Sequence, residues 1–131
     1  MHTILQPEGW AKPRGYANGI AAKGHLIFVA GQIGWNAQCV FEAEGFVEQV
    51  RQVLKNIVAV LAEAGAGPEH VTSMTWFILD KSEYLANLKE LGNAWREVMG
   101  RYYPAMTVVQ IGALVDDGAK VEIQAQAVIP G

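Results

Sequence analysis

The apolar residues of the chain change period several times, and each change marks an element. From Phe46 to Ala64, Phe46, Val50, Val53, Leu54, Ile57, Val58 and Leu61 recur at three- and four-residue steps, with Glu48, Gln52, Lys55 and Glu63 between them. That spacing predicts an amphipathic helix, stopped by "GAGP". Upstream, "QPEGWAKPRGYANG" is rich in Pro and Gly and reads as a surface loop. It is followed by "HLIFVAGQIG", in which Leu26 to Val29 is apolar at every position. Such a run predicts a strand covered on both faces, with a turn at "AGQIG".

Val71 to Leu79, "VTSMTWFIL", is β-branched and aromatic and predicts a second strand. Thr72, Met74, Trp76 and Ile78 fall on one face, and Val71, Ser73, Thr75 and Phe77 on the other. Asp80 or Ser82 caps a second helix with the stripe Tyr84, Leu88, Leu91, Trp95 and Val98, and Gly100 ends it. Two more strands follow, "MTVVQIGAL" and "KVEIQAQAVI", and the Asp-Gly pair in "VDDG" predicts a hairpin-like turn between them. The last strand alternates: Val121, Ile123, Ala125 and Ala127 point one way, and Glu122, Gln124 and Gln126 the other. The order of elements predicts an α+β fold with both helices on one face of a sheet. The other face is then either wet or covered by a second subunit, and its uncharged middle strand favours a homo-oligomer.

Composition narrows the classes of function. The 131 residues, half of them apolar, suit one domain spanning 1–131. No apolar run reaches the roughly 18 to 20 residues that span a bilayer, and no leader pattern opens the chain, so a cytoplasmic protein away from membranes is expected. Cys39 is the only cysteine and has no basic neighbour, which predicts an inert thiol. The net charge is −3 with signs interspersed, unlike a surface that tracks phosphates, so nucleic acid is not expected as a partner. His2, His25 and His70 are scattered without ligand spacing, and neither metal nor cofactor is predicted.

Several separated stretches in a fixed order carry a resemblance: "GYANG", "IFVAGQIG", "QVRQVLKNIVAVLAEAGAG", "FILDKSEY", "YPAMT" and "VEIQAQAV". Over Gly15 to Val128 the chain resembles the RidA/YjgF family, small proteins that include enamine/imine deaminases. The resemblance implies a mixed sheet like that of the trimeric chorismate mutases, a homotrimer, and small-molecule clefts between subunits. It also implies site residues: Tyr16 for the family's tyrosine, Gly31 for its glycine, and Glu122 for the glutamate that positions or activates water. Met106 falls on the arginine that grips a substrate carboxylate, Ala30 on a serine and Val108 on a frequent cysteine. Asn87 and Asn93 are the asparagines available on the helix that usually offers one to the cleft.

The change at Met106 is chemically large, because a thioether has no donor to replace a bidentate guanidinium. Losing a charge-assisted hydrogen bond worth roughly 1.5 to 3 kcal/mol weakens a small anion by one to two orders of magnitude. A carboxylate ligand would need another cation, and Arg14 and Arg101 lie nearest in sequence to the site residues. Two functions compete. One is hydrolysis of an enamine or imine other than the 2-aminoacrylate type, with Glu122 as general base. The other is a non-catalytic small-molecule or interaction module in which Met106 makes an adaptable apolar contact. Each residue also has a plain structural role open to it. Glu122 suits a solvated strand face, Tyr16 an interface, Gly31 a turn, and Trp35, Trp76 and Trp95 core or interface. RNA cleavage, a third activity associated with the family, lacks both the charge and an assembled set of His, Lys or Arg.

Overall fold

In the computed structural model, which describes residues 2–131, the elements run β1 (Thr3–Ile4), β2 (Ile20–Ala21), β3 (Gly24–Ile33), α1 (Phe46–Glu63), β4 (Val71–Ile78), α2 (Lys81–Ala86), α3 (Leu88–Met99), β5 (Ala105–Gln110) and β6 (Val121–Pro130). The main sheet has the order β3-β6-β4-β5, and β1 with β2 forms a separate two-stranded ribbon. β6 is antiparallel to both β3 and β4, whereas β5 is parallel to β4, so the sheet is mixed. This is the α+β arrangement that the order of elements predicts.

The stripe of α1 is buried as its spacing requires, and Val50, Val53, Leu54, Ile57 and Leu61 have no exposed surface. The helix ends where the chain turns left-handed at Gly65, with φ +74, and Leu61 O accepts from both Ala64 N and Ala66 N. Asp80 caps α2 by accepting from Glu83 N at 3.2 Å, and Gly100, with φ +73, ends α3. α1 and α3 cover the same face of the sheet, where Leu91, Trp95 and Met99 join Met74, Trp76, Ile78 and Ile123 in one core. Among the described residues no helix is long and apolar enough to cross a membrane.

Four sequence expectations need correction. The turn expected at "AGQIG" is strand: β3 runs on to Ile33, and the register shifts between Val29 and Gln32 as a bulge. β3 is covered on one face only, because Leu26 is 59% exposed and Phe28 69%, while Val29 is buried. The hairpin expected at "VDDG" does not form, since β4 lies between β5 and β6. Asp116 does make the tight turn, its Oδ1 accepting from Gly118 N at 2.9 Å, but the strands it separates find other partners. Finally, the second helix is broken at Asn87 into α2 and α3, and Leu88 is exposed there, outside the buried stripe.

Candidate functional site

The residues before β2 form the wall of the site. Ala17 N donates to Pro104 O at 2.9 Å, and Ala17 bridges Ala105 in parallel, so this stretch continues the sheet beyond β5. Tyr16 is thereby brought beside Met106, and the two line one cavity of 590 Å³. That volume falls within the range of small-molecule sites. The cavity lies between α3, the β4–β5 edge and the N-terminal loop, with Leu91 and Val108 on its walls.

Four more of its lining residues are aromatic. Tyr84, Trp76, Trp95 and Tyr103 form a chain of rings: Tyr84 meets Trp76 edge-on at 6.2 Å, Trp76 stacks on Trp95 at 6.5 Å, and Trp95 on Tyr103 at 6.1 Å. Trp95 Nε1 donates to Tyr102 O at 3.1 Å, which fixes the middle of the chain. Trp76 Nε1 is buried and has no partner, alone in this among the buried side-chain polar atoms of the described residues. Burial raises the Tyr84 phenol above its ordinary 10.0, because the phenolate is poorly solvated in this wall. Trp76 and Trp95 are thus both core residues and cavity walls, whereas Trp35 packs on Phe41 and lies apart.

The cavity's charged residues are Arg14 and Arg96. Of the cations nearest in sequence, Arg14 is therefore at the cavity and Arg101 is not among its walls. Sequence reasoning missed Arg96. It sits one residue past the stripe position Trp95 and one turn after Gly92, a spacing that carries it along the helix to the cavity. The asparagines of this segment are engaged elsewhere: Asn87 Nδ2 donates to Glu83 O, and Asn93 Oδ1 accepts from Arg96 Nη2. Neither lines the cavity.

Glu122 and Gly31 form a second group. A Cβ added to Gly31 would meet Glu122 Cδ at 2.9 Å and Cγ at 3.0 Å, so the carboxylate lies directly across the glycine backbone. Gly31 is needed for this close approach, and not for a turn. Glu122 pairs in register with Phe77, and Met106 pairs with Met74. Met74 and Phe77 are three positions apart on β4, so the two pairs face opposite sides of the sheet. Met74 is buried toward the helices, which puts Met106 on the helix side and Glu122 on the uncovered side. Within one chain, Tyr16 and Met106 come together, Gly31 and Glu122 come together, and the two pairs stay apart.

Comparisons with known proteins fit this fold. The family model described as Endoribonuclease L-PSP matches residues 10–129. A RutC family protein of Synechocystis is 40% identical over 130 residues, covering 97% of this chain and 96% of that one. A RutC family protein of Aquifex aeolicus is 33% identical and covers 98% of this chain and 99% of that one. Among solved structures, YyfB of Yersinia pestis, a protein of unknown function in the conserved Rid family, superposes with a TM-score of 0.87. It is 26% identical, and the match covers 98% of each chain.

Proposed function

The chain belongs to the RidA/YjgF family, and from that premise we propose that it works as a homotrimer which hydrolyses a reactive enamine or imine between its subunits. The observation that carries this reading is the division of the site into two groups on opposite faces. A pocket holding Tyr16 and Met106 opens at the β5 edge, while the carboxylate of Glu122 lies over Gly31 on the face that the helices leave bare. That bare face carries exposed Leu26, Phe28 and Val109, apolar surface suited to burial against another subunit. A neighbour docked there would bring its own pocket edge toward Glu122, with the fold of the trimeric chorismate mutases as the frame. Cys39, exposed and free, suits the reducing cytoplasm.

In this reading the enamine first tautomerises to the imine. Glu122 accepts a proton from water as the water oxygen bonds to the imine carbon, and passes that proton to the nitrogen, which gives a neutral carbinolamine. Glu122 then takes the hydroxyl proton and delivers it to the nitrogen as the C–N bond breaks, so that ammonia leaves and a carbonyl compound remains. Met106 replaces a carboxylate clamp with an apolar contact at the turn, which directs preference away from 2-aminoacrylate. The test supplies enzymatically generated imines and follows ammonia release. The wild type should accelerate hydrolysis of at least one, and Glu122→Gln should abolish the acceleration; parity with buffer across the set would sink the proposal.

Met106 and the aromatic walls also favour a second reading, a binding module without turnover. Ligand-induced thermal stabilisation combined with no ammonia release would support it. The ribonuclease in the family description finds no support here. The net charge is −3, and the cavity is lined by two exposed arginines and no histidine.

A further inference from the structure

We infer that the Met106 cavity selects an aromatic carboxylate, held at its carboxylate by Arg14 and Arg96 in place of the missing turn arginine. The inference rests on the proposed function only in making the cavity a ligand site. For the hydrolysis proposed above it names the imino acid of an aromatic amino acid as the substrate class.

The charge balance of the cavity sets the sign of the ligand. Its two charged residues are both cations, and the ion pairs among the described residues involve Arg51, not Arg14 or Arg96. Arg96 is also held in place. Its Nη2 donates to Asn93 Oδ1 at 2.7 Å, and a Cβ added to Gly92 would stand 3.4 Å from its Nη1. The guanidinium therefore lies along the helix over Gly92, itself a cavity residue, and most of its five donors remain for an anion. The free donors of the two guanidiniums favour a ligand that brings acceptor oxygens.

The shape sets the body of the ligand. Five rings and Leu91 line a volume far larger than a two- or three-carbon acid fills. Stacked aromatic walls reward a flat ring, through offset or edge-on contacts. The same volume with two arginines would bind pyruvate poorly, because its apolar walls would stay wet.

Calorimetry on the intact chain distinguishes these terms with phenylacetate as probe, its uncharged isostere phenylacetamide, and pyruvate. Phenylacetate should bind at least about tenfold more tightly than either. Arg14→Gln and Arg96→Gln should each weaken phenylacetate about tenfold while leaving phenylacetamide unchanged, and Arg96→Lys should fall between. Arg101→Gln serves as the control and should have no effect. Equal affinity for phenylacetate and its amide, or phenylacetate affinity insensitive to both arginine substitutions in folded variants, overturns the inference. The two readings fail separately. Glu122-dependent hydrolysis of an uncharged imine with no carboxylate preference defeats only the anchor, whereas tight phenylacetate binding without hydrolysis of any imine defeats only the enzyme.

Discussion

Gly31 and Glu122 show how a single missing methyl can make room for a carboxylate. The Glu122 carboxylate occupies the space a Cβ would need, so Gly31→Ala must push the side chain aside. Imine hydrolysis by Gly31→Ala is expected to drop at least tenfold, toward the level of Glu122→Gln, with the far-ultraviolet circular dichroism unchanged; full activity would mean that the carboxylate's position is unimportant. Tyr84 gives a prediction about pH. Burial holds its phenol above 10.0, so the folded chain retains that proton more tightly than the unfolded chain. Its contribution to stability is complete below pH 10 and is lost as the pH rises through the folded value. Urea unfolding should therefore show stability falling above pH 10, and Tyr84→Phe should flatten the fall. Gly31 was identifiable from the sequence by family resemblance, but its reason was not. A glycine in "AGQIG" suggests a turn, and only the β3–β6 register reveals a bulge with a carboxylate laid across it. Arg96 was hidden for a different reason: a helix read by its apolar stripe gives no weight to a long cation that reaches the same cavity from the flank.

At the scale of elements, local signals were legible and pairings between distant segments were not. The α1 stripe, the Asp80 cap and the Gly100 terminus depend on residues within a turn or two of one another. Asp80→Ala should accordingly lower stability by about 1 kcal/mol in urea unfolding, the usual worth of a lost helix cap. The β5–β6 hairpin misled because Asp116 does form its turn while β4, far upstream, takes the place between the strands. Period-two alternation likewise sorts residues within each strand, but the matching of faces across strands needs the register. Gln49 ties these pieces together and escaped notice as one polar residue on an apolar helix. Buried in α1, it donates to Gly118 O at 2.9 Å and to Ala43 O at 3.3 Å, and accepts from Lys120 N at 2.8 Å. It thus fixes the entry into β6 two residues before Glu122. Gln49→Leu leaves those groups without partners and should destabilise by on the order of 3 kcal/mol, more than the cap variant. An effect below 1 kcal/mol would show that water replaces the amide.

For the whole molecule, the separation of Met106 from Glu122 makes a statement about assembly that neither residue makes alone. If one chain supplies the pocket and its neighbour supplies the carboxylate, two defective chains can complement each other. Glu122→Gln removes the carboxylate and keeps the pocket, whereas Met106→Trp fills the pocket and keeps the carboxylate. Each homotrimer should be inactive. In trimers mixed at random from equal amounts, about a quarter of the clefts combine an intact pocket with an intact Glu122 across a head-to-tail interface. Imine hydrolysis should therefore return to about one quarter of the wild-type rate, and sedimentation should show trimers throughout. A site contained in one chain permits no such recovery, since every chain in the mixture carries a defect. Phe28→Asp supplies the converse, placing a charge on the bare sheet face where Phe28 is 69% exposed. It should leave the chain folded, shift it toward monomer and abolish hydrolysis in proportion, because a monomer holds both groups with the sheet between them.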